Sequence, residues 1–298
     1  MKKKGQTLKP EWTILKLIQW TTSYFTSRQV ENPRVAAEIL LAHTLGIKRV
    51  DLYIQFDQPL SENELAGFKG LIKRRAQKEP VAYITGSKEF WSIDFKVTPD
   101  VLIPRPDTEC LVETALEYLS GKPNSPPKKI FEPGTGSGAI IIALCSEHPE
   151  HTFFASDLSL KATETAKTNA NKCNLKKTVR FFSGDWLAPL NHITGRFDLI
   201  ISNPPYIPTD VIKTLQPEIC EYEPRLALDG DKDGLSALRH LIMSAHSFLK
   251  PGGCLILEIG HDQKNHIKKI ITDCGNYADI FFRKDYGGNY RVVQMNKK

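Results

Sequence analysis

No apolar run in this 298-residue chain reaches the roughly 18 residues of a membrane-crossing helix. The basic start Met1-Lys2-Lys3-Lys4 leads into polar residues, not into the apolar stretch of a secretory leader, so a cytoplasmic location is expected. Cysteine is sparse and scattered. Cys110, Cys145, Cys173, Cys220, Cys254 and Cys274 form no CxxC pair, which argues against zinc ligands or a disulfide framework and for buried free thiols. The 8 histidines show no metal-ligand spacing with carboxylates, and no metal is expected. An excess of one charge is also missing from most of the chain. Residues 1–80 hold 14 Lys and Arg against 8 Asp and Glu and the remainder has 26 of each, so the whole excess of +6 lies in the first quarter. Such a patch can attract nucleic acid or an acidic protein. A solvated helical face with a loose tail at Lys2 to Lys4 is the simpler reading, and direct nucleic-acid binding is not expected.

What is present is enough for a full core: 41% of the residues are hydrophobic, ordinary for one large or two modest domains. Residues 12–25 and 35–45 carry apolar side chains at helical spacing, the second run behind Asn32-Pro33 as cap and first turn. Ser61 and Glu64 make a capping-box pair ahead of a third helix over 65–76. A helical bundle is therefore predicted for residues 1–80, and with no glycine loop or acid cluster it reads as a substrate-recognition domain. Over 81–104 the pieces Val81-Ala82-Tyr83-Ile84, Phe90-Trp91 and Phe95-Lys96-Val97 are β-rich and broken by Gly86, Asp94 and Pro99. That pattern predicts a β-hairpin connector.

Residues 105–298 alternate. Strands are predicted at 129–131, 152–155, 179–182, 197–202 and 254–259, with helices at 108–118, 139–145, 158–173, 235–248 and 263–274 and a Pro-rich loop at 121–127. The last two strands, 278–283 and 291–294, are joined by a loop containing Tyr286-Gly287-Gly288-Asn289 with no helix between, which permits an antiparallel pair. The expected fold is α/β: a doubly wound, seven-stranded, mostly parallel sheet.

The loops that follow the strands carry the chemistry. Asn203-Pro204-Pro205-Tyr206 comes directly after the apolar run ending Ile200-Ile201-Ser202. An Asn oxygen and the Pro204 carbonyl can each accept one N–H of a planar NH2 group, the prolines stiffen the loop, and Tyr206 can lie against the plane. Upstream, Glu132-Pro133 leads into Gly134-Thr135-Gly136-Ser137-Gly138, whose alternate glycines let backbone pass close to a ligand. The spacing is GxGxG, not the GxGxxG of dinucleotide folds. Asp157, at the end of the next strand, is placed to hold ribose hydroxyls or else to cap the following helix. Asp185 and Trp186, after the third strand, offer an acceptor and an indole to an adenine ring.

These parts in this order resemble the class I methyltransferases that use S-adenosyl-L-methionine. Arg105-Pro106-Asp107-Thr108-Glu109, the glycine loop, Asp157 and Asn203-Pro204-Pro205-Tyr206 are similar more closely to the HemK or PrmC family, along nearly the whole chain. That family methylates the side-chain amide of a glutamine in peptide chain release factors. The resemblance implies that the glycine loop lies under the methionine part of the cofactor, that Asp157 binds ribose, and that the Asn-Pro-Pro-Tyr loop receives the glutamine. Glu132 stands where such enzymes commonly have Asp, which keeps an acceptor but lengthens its reach. A monomer is expected. The rival reading is a nucleic-acid methyltransferase acting on the exocyclic amine of adenine, which presents the same two hydrogens. It would have to extract the base, and no sizeable target-recognition region is evident in residues 207–234.

Overall fold

The computed structural model describes residues 12–120, 126–175, 178–192 and 197–298. The Lys2-Lys3-Lys4 tail and most of the 121–127 loop expected from the sequence lie outside the described residues. The chain divides into two units, the first ending at Gly86 and the second beginning at Ser87.

The first unit is helical. Ile14–Ser27, Pro33–Leu45 and Glu62–Ala76 pack around Ile14, Leu17, Phe25, Leu40, Leu41 and Phe68. Glu62–Ala76 starts on the expected capping box: Ser61 Oγ accepts from Glu64 N at 3.4 Å while Glu64 Oε2 accepts from Ser61 N at 2.7 Å. Asn32 does not cap by its side chain, because its backbone is left-handed with φ 48°; Pro33 alone opens that helix. Val81-Ala82-Tyr83-Ile84, read as a strand, is instead the helix Val81–Thr85. Pro80 before its first turn and Gly86 at φ +72° after its last bracket a single turn, and the burial of Ile84 in the helical core overrides its β preference.

In the second unit, the hairpin is β1 (Ser87–Phe90) and β2 (Ile93–Lys96), paired antiparallel across Trp91 and Ser92. Both turn residues have positive φ, which suits the twist of a two-residue hairpin. Trp91 is anchored there by Glu109 Oε1 on its backbone N–H at 3.2 Å and Glu147 Oε1 on its indole N–H at 2.8 Å. Phe90 and Phe95 join the core of the large sheet, so the hairpin is part of this unit.

Among the described residues seven strands make that sheet: β3 (Lys129–Pro133), β4 (Thr152–Asp157), β5 (Val179–Ser183), β6 (Phe197–Ser202), β7 (Leu249–Glu258), β8 (Tyr277–Lys284) and β9 (Tyr290–Lys297). Their order is β5-β4-β3-β6-β7-β9-β8, parallel through β7 and antiparallel at β7/β9 and β9/β8. Alternation explains why both faces are covered. Ile130, Leu199, Ile201 and Ile256 point into one apolar core, and Phe131, Ile200, Leu255 and Leu257 into the other. Glu109–Leu119 and Ala139–Glu147 cover the first face and Ser236–Ala245 and Lys264–Cys274 the second. The expected Pro251-Gly252-Gly253 turn lies inside β7, where the pairing with β6 jumps from Phe197↔Leu249 to Leu199↔Cys254. No helix among the described residues is long and apolar enough to cross a membrane.

The strand order reverses between β3 and β6. A doubly wound sheet opens a crevice at such a point, at the carboxyl ends of the strands. The glycine loop and the Asn-Pro-Pro-Tyr loop leave the sheet there.

Candidate functional site

A cavity of about 910 Å3 lies at that edge. Gly134, Thr135, Gly136, Ser137, Asp157, Asp185, Trp186, Asn203 and Pro205 line it, so four loops far apart in sequence meet in one place. Gly138, Pro204 and Tyr206, also expected in the site, are not on its wall.

The glycine loop is built by backbone geometry. Gly134 and Gly136 have φ +74° and +55°, and Thr135 N donates to Ser156 O at 2.9 Å, tying the loop to the end of β4. The Trp186 ring packs on Gly134, where a Cβ would stand 3.3 Å from it. Gly138 serves packing. Its φ is +81°, and a Cβ there would meet Ile142 at 3.0 Å and Ala166 at 3.1 Å, so its role is to let two helices approach and not to face the cavity. Asn169, which no sequence signal marked, is buried and holds Ser137 O at 2.8 Å and the backbone of Lys96 in the hairpin.

Asp157 does not cap the next helix, since Ser159 does. Its Oδ2 accepts from Gly136 N at 2.8 Å and its Oδ1 from Ser159 N at 2.9 Å. Each oxygen keeps a second lone pair. Burial raises its pKa, while these two backbone donors oppose the shift.

Glu132 is fully buried and lines the cavity. Its Oε2 accepts from Thr135 Oγ1 at 2.6 Å, and its Oε1 has no hydrogen-bond partner. Burial pushes its pKa up to about 8, against the Thr135 hydrogen bond and the Ile141 backbone N–H. A buried carboxylate oxygen without a partner is costly to an isolated protein and suits a cationic N–H donor in the cavity.

Asn203 Nδ2 donates to Thr108 Oγ1 at 3.3 Å, which leaves Asn203 Oδ1 as the free end of the amide. Tyr206, expected to lie against a planar ligand group, turns away: its hydroxyl donates to Glu258 Oε1 at 3.1 Å and receives Arg291 Nη1 at 3.5 Å. A half-buried phenol still seeks hydrogen-bond partners, and Glu258 and Arg291 supply them. The loop backbone is clamped by Gln263, whose Nε2 donates to Tyr206 O and to Gly234 O, both at 3.0 Å, while its Oε1 accepts from Gly260 N at 2.9 Å.

Residues 207–234 form the far wall. Ile207 and Asp229 make a single bridge, and Glu223 reaches back to accept from Ile103 N at 3.2 Å and to pair with Arg105. Arg105 and Thr108 line the cavity, and Asp107 pairs with Arg291 at 3.0 Å. Apart from this site, His148, Glu150 and His151 bring donor atoms within 4.8 Å of one another at the opposite end of β4, a grouping that the sequence reading of the histidines missed. Glu150 there accepts from or pairs with His148 at 3.0 Å.

Two family profiles match the chain, a PrmC N-terminal domain over residues 16–86 and a methyltransferase small domain over 112–221. A release factor glutamine methyltransferase of Geobacter sulfurreducens is 44% identical over 96% of this chain and 98% of its own. One from Moorella thermoacetica is 42% identical over 88% and 90%. A solved methyltransferase from Pyrococcus furiosus shares the fold, with a TM-score of 0.52 and 21% identity over 76% of this chain and 98% of its own.

Proposed function

The chain belongs to the release factor glutamine methyltransferase family, and we propose that it transfers a methyl group from S-adenosyl-L-methionine to the side-chain amide nitrogen of a glutamine in a peptide chain release factor. The observation that carries the reading is the orientation of Asn203. With Nδ2 occupied by Thr108, its Oδ1 is left to accept an N–H in the cavity that also holds the glycine loop and Asp157.

The residues present fit the cofactor. Glu132 Oε1 is a buried acceptor without a partner, suited to an ammonium group. Asp157 has its carboxylate fixed by two backbone donors and two lone pairs to spare for a diol. Asp185 and Trp186, also on the cavity wall, are assigned to the adenine end. When bound, the cofactor supplies an already activated methyl group.

The rest falls to the protein. An amide nitrogen is a weak nucleophile, so orientation dominates, and a well-placed near-attack arrangement can supply roughly 7–11 kcal/mol of a barrier. Asn203 Oδ1, on the cavity wall, is assigned one amide hydrogen and the carbonyl of the neighbouring Pro204, just behind the wall, the other, and an acceptor there stabilises positive charge as it develops on the nitrogen. Pro205 and Tyr206 keep the loop rigid from the cavity wall and from behind. No base is needed before transfer, because the nitrogen loses its proton readily once methylated. The first unit, matched by the N-terminal family profile, is assigned to recognition of the protein substrate.

The test is incubation with methyl-labelled cofactor and either purified release factor or nucleic acid. Label on one glutamine of the factor is the expected result. Label on nucleic acid alone would refute the reading.

A further inference from the structure

The inference concerns how the cofactor enters and leaves the cavity, and it rests on that cavity being the cofactor site, not on the identity of the substrate. Two irregular segments wall the cavity. One runs from Val97 to Arg105 with neither helix nor strand and sets Asp100, Leu102 and Arg105 on the wall. The other, from Glu221 to Asp229, has a single 3-10 turn at Arg225–Ala227 and sets Pro224, Leu226 and Asp229 there. Each is braced separately. Asp100 pairs with Lys161 at 3.2 Å, at the start of the helix Leu160–Lys172, while Asp229 accepts from Thr209 Oγ1 at 2.6 Å and from Arg225 Nε at 3.0 Å.

Glu223 ties one segment to the other. Its side chain is 1% exposed and is not on the cavity wall. Oε2 accepts from Ile103 N at 3.2 Å, 120 residues away in the chain, and Oε1 accepts from the Arg105 guanidinium. Both bonds converge on one carboxylate, which fixes the spacing of two segments that share no sheet.

We propose that Glu223 is a positioning residue that clasps the two walls and thereby sets how fast S-adenosyl-L-methionine enters and leaves. Drawing either wall back strips both donors from the same carboxylate. A hydrogen bond to a charged group shifts such an opening equilibrium by about 10- to 100-fold. Glu223 gives no atom to the cavity, so its removal takes no contact from a bound cofactor. A group with no preference between the free and the loaded protein cannot change affinity, and it slows entry and exit by one common factor. A residue that merely shaped the binding surface would act differently, changing Kd through koff.

The experiment compares wild type, Glu223→Gln and Glu223→Ala in the full chain, with S-adenosyl-L-methionine as the ligand. Stopped-flow tryptophan fluorescence, with Trp186 on the cavity wall, gives kon and koff, and calorimetry gives Kd. Glu223→Gln keeps an acceptor for Ile103 N and loses the charge facing Arg105, so both rates should rise about tenfold. Glu223→Ala loses both bonds and should raise both rates further, toward about 100-fold. Kd should stay within about twofold in each. Hydrogen exchange at the Ile103 amide, the donor to Glu223, should quicken by a similar factor while the amides of β6 keep their wild-type rates. Wild-type rates in Glu223→Ala would overturn the clasp. So would a rise in koff alone with Kd weakened to match, or exchange that quickens in β6 as much as at Ile103. Failure of the wild-type protein to bind the cofactor is a separate result, which refutes the cavity as its site and any clasp serving it.

Discussion

Replacing Glu132 by Gln should make the ligand-free protein more stable as pH rises. The carboxyl is fully buried, one oxygen is held by Thr135 and the other has no hydrogen bond of full geometry, and burial, only partly offset by Thr135 and the Ile141 backbone, pushes its pKa from an ordinary 4.5 to about 8. An acid whose folded pKa exceeds its unfolded one binds its proton more tightly in the native state. Unfolding then releases a proton between pH 4.5 and 8, and stability falls with rising pH across that window. At about 1.4 kcal/mol per pH unit, wild type loses about 3 kcal/mol by pH 7 and about 4 by pH 8, with little further change above. Glutamine has the same shape, keeps a carbonyl for Thr135 and does not ionise. At roughly 2–4 °C per kcal/mol, the Tm advantage of Glu132→Gln should grow from small at pH 5 to about 6–12 °C at pH 7. Thermal unfolding followed by circular dichroism in matched buffers measures it. A gap that is the same at every pH, or a wild type that is the more stable at pH 8, would refute the description of Glu132 as an uncompensated buried acid. The same variant should bind cofactor more weakly, since the oxygen that destabilises the empty site is the one assigned to the ammonium group.

Further outcomes follow from the other walls of the cavity. Asn203→Ala should lower kcat by about 100-fold or more while leaving cofactor affinity nearly intact, the size expected for a donor or acceptor acting in the transition state; calorimetry showing an equal loss of cofactor binding would contradict that division of labour. Asp157→Ala should do the opposite, raising the cofactor Kd by about tenfold or more for the loss of hydrogen bonds to a charged group, and an unchanged Kd would reject the ribose role. Gly138→Ala should cost about 2–4 kcal/mol of stability, from positive φ and crowding against Ile142 and Ala166. Gly136→Ala, where a Cβ meets no atom within 4 Å, should cost about 1 kcal/mol for its φ and act mainly on cofactor affinity. Urea unfolding and calorimetry on the pair would show the reverse pattern if Gly138 were the ligand-facing residue.

Much of this site was legible because its parts sit at strand ends that simple patterns reveal. The run from Phe197 to Ser202 and the Gly134 to Gly138 loop place themselves by apolar periodicity and by backbone freedom, both properties of short stretches of chain. Asp157 was ambiguous for a definite reason: an acid before a helix can cap it, and only the geometry shows Ser159 doing so. The supporting residues were out of reach. Glu258 ends an apolar strand, Glu223 sits in an irregular stretch, and Asn169 lies in the middle of a helix, yet each acts on a segment at least 30 residues away, which no local pattern encodes. Tyr206, expected against a planar ligand group, and Gly138, expected under the ligand with the rest of the glycine loop, both lie off the cavity wall: the Tyr206 hydroxyl bonds Glu258 and Gly138 lets two helices approach. The helix at Val81–Thr85 shows the same limit in the fold, where β-branched residues followed their burial and not their propensity.

The clamp made by Gln263 has a bearing on how this scaffold tolerates change. One amide fastens both ends of the segment between Tyr206 and Gly234, so its neck is fixed independently of its length. Extra residues at its exposed outer turn, around Lys213, Thr214 and Gln216, would add little closure entropy, since doubling a loop costs only about 0.6 kcal/mol. The neck would still hold the Asn-Pro-Pro-Tyr backbone in place. Surface at that turn can therefore be enlarged or reshaped without disturbing the acceptors assigned to the amide, which would separate the choice of partner from the chemistry proposed for it.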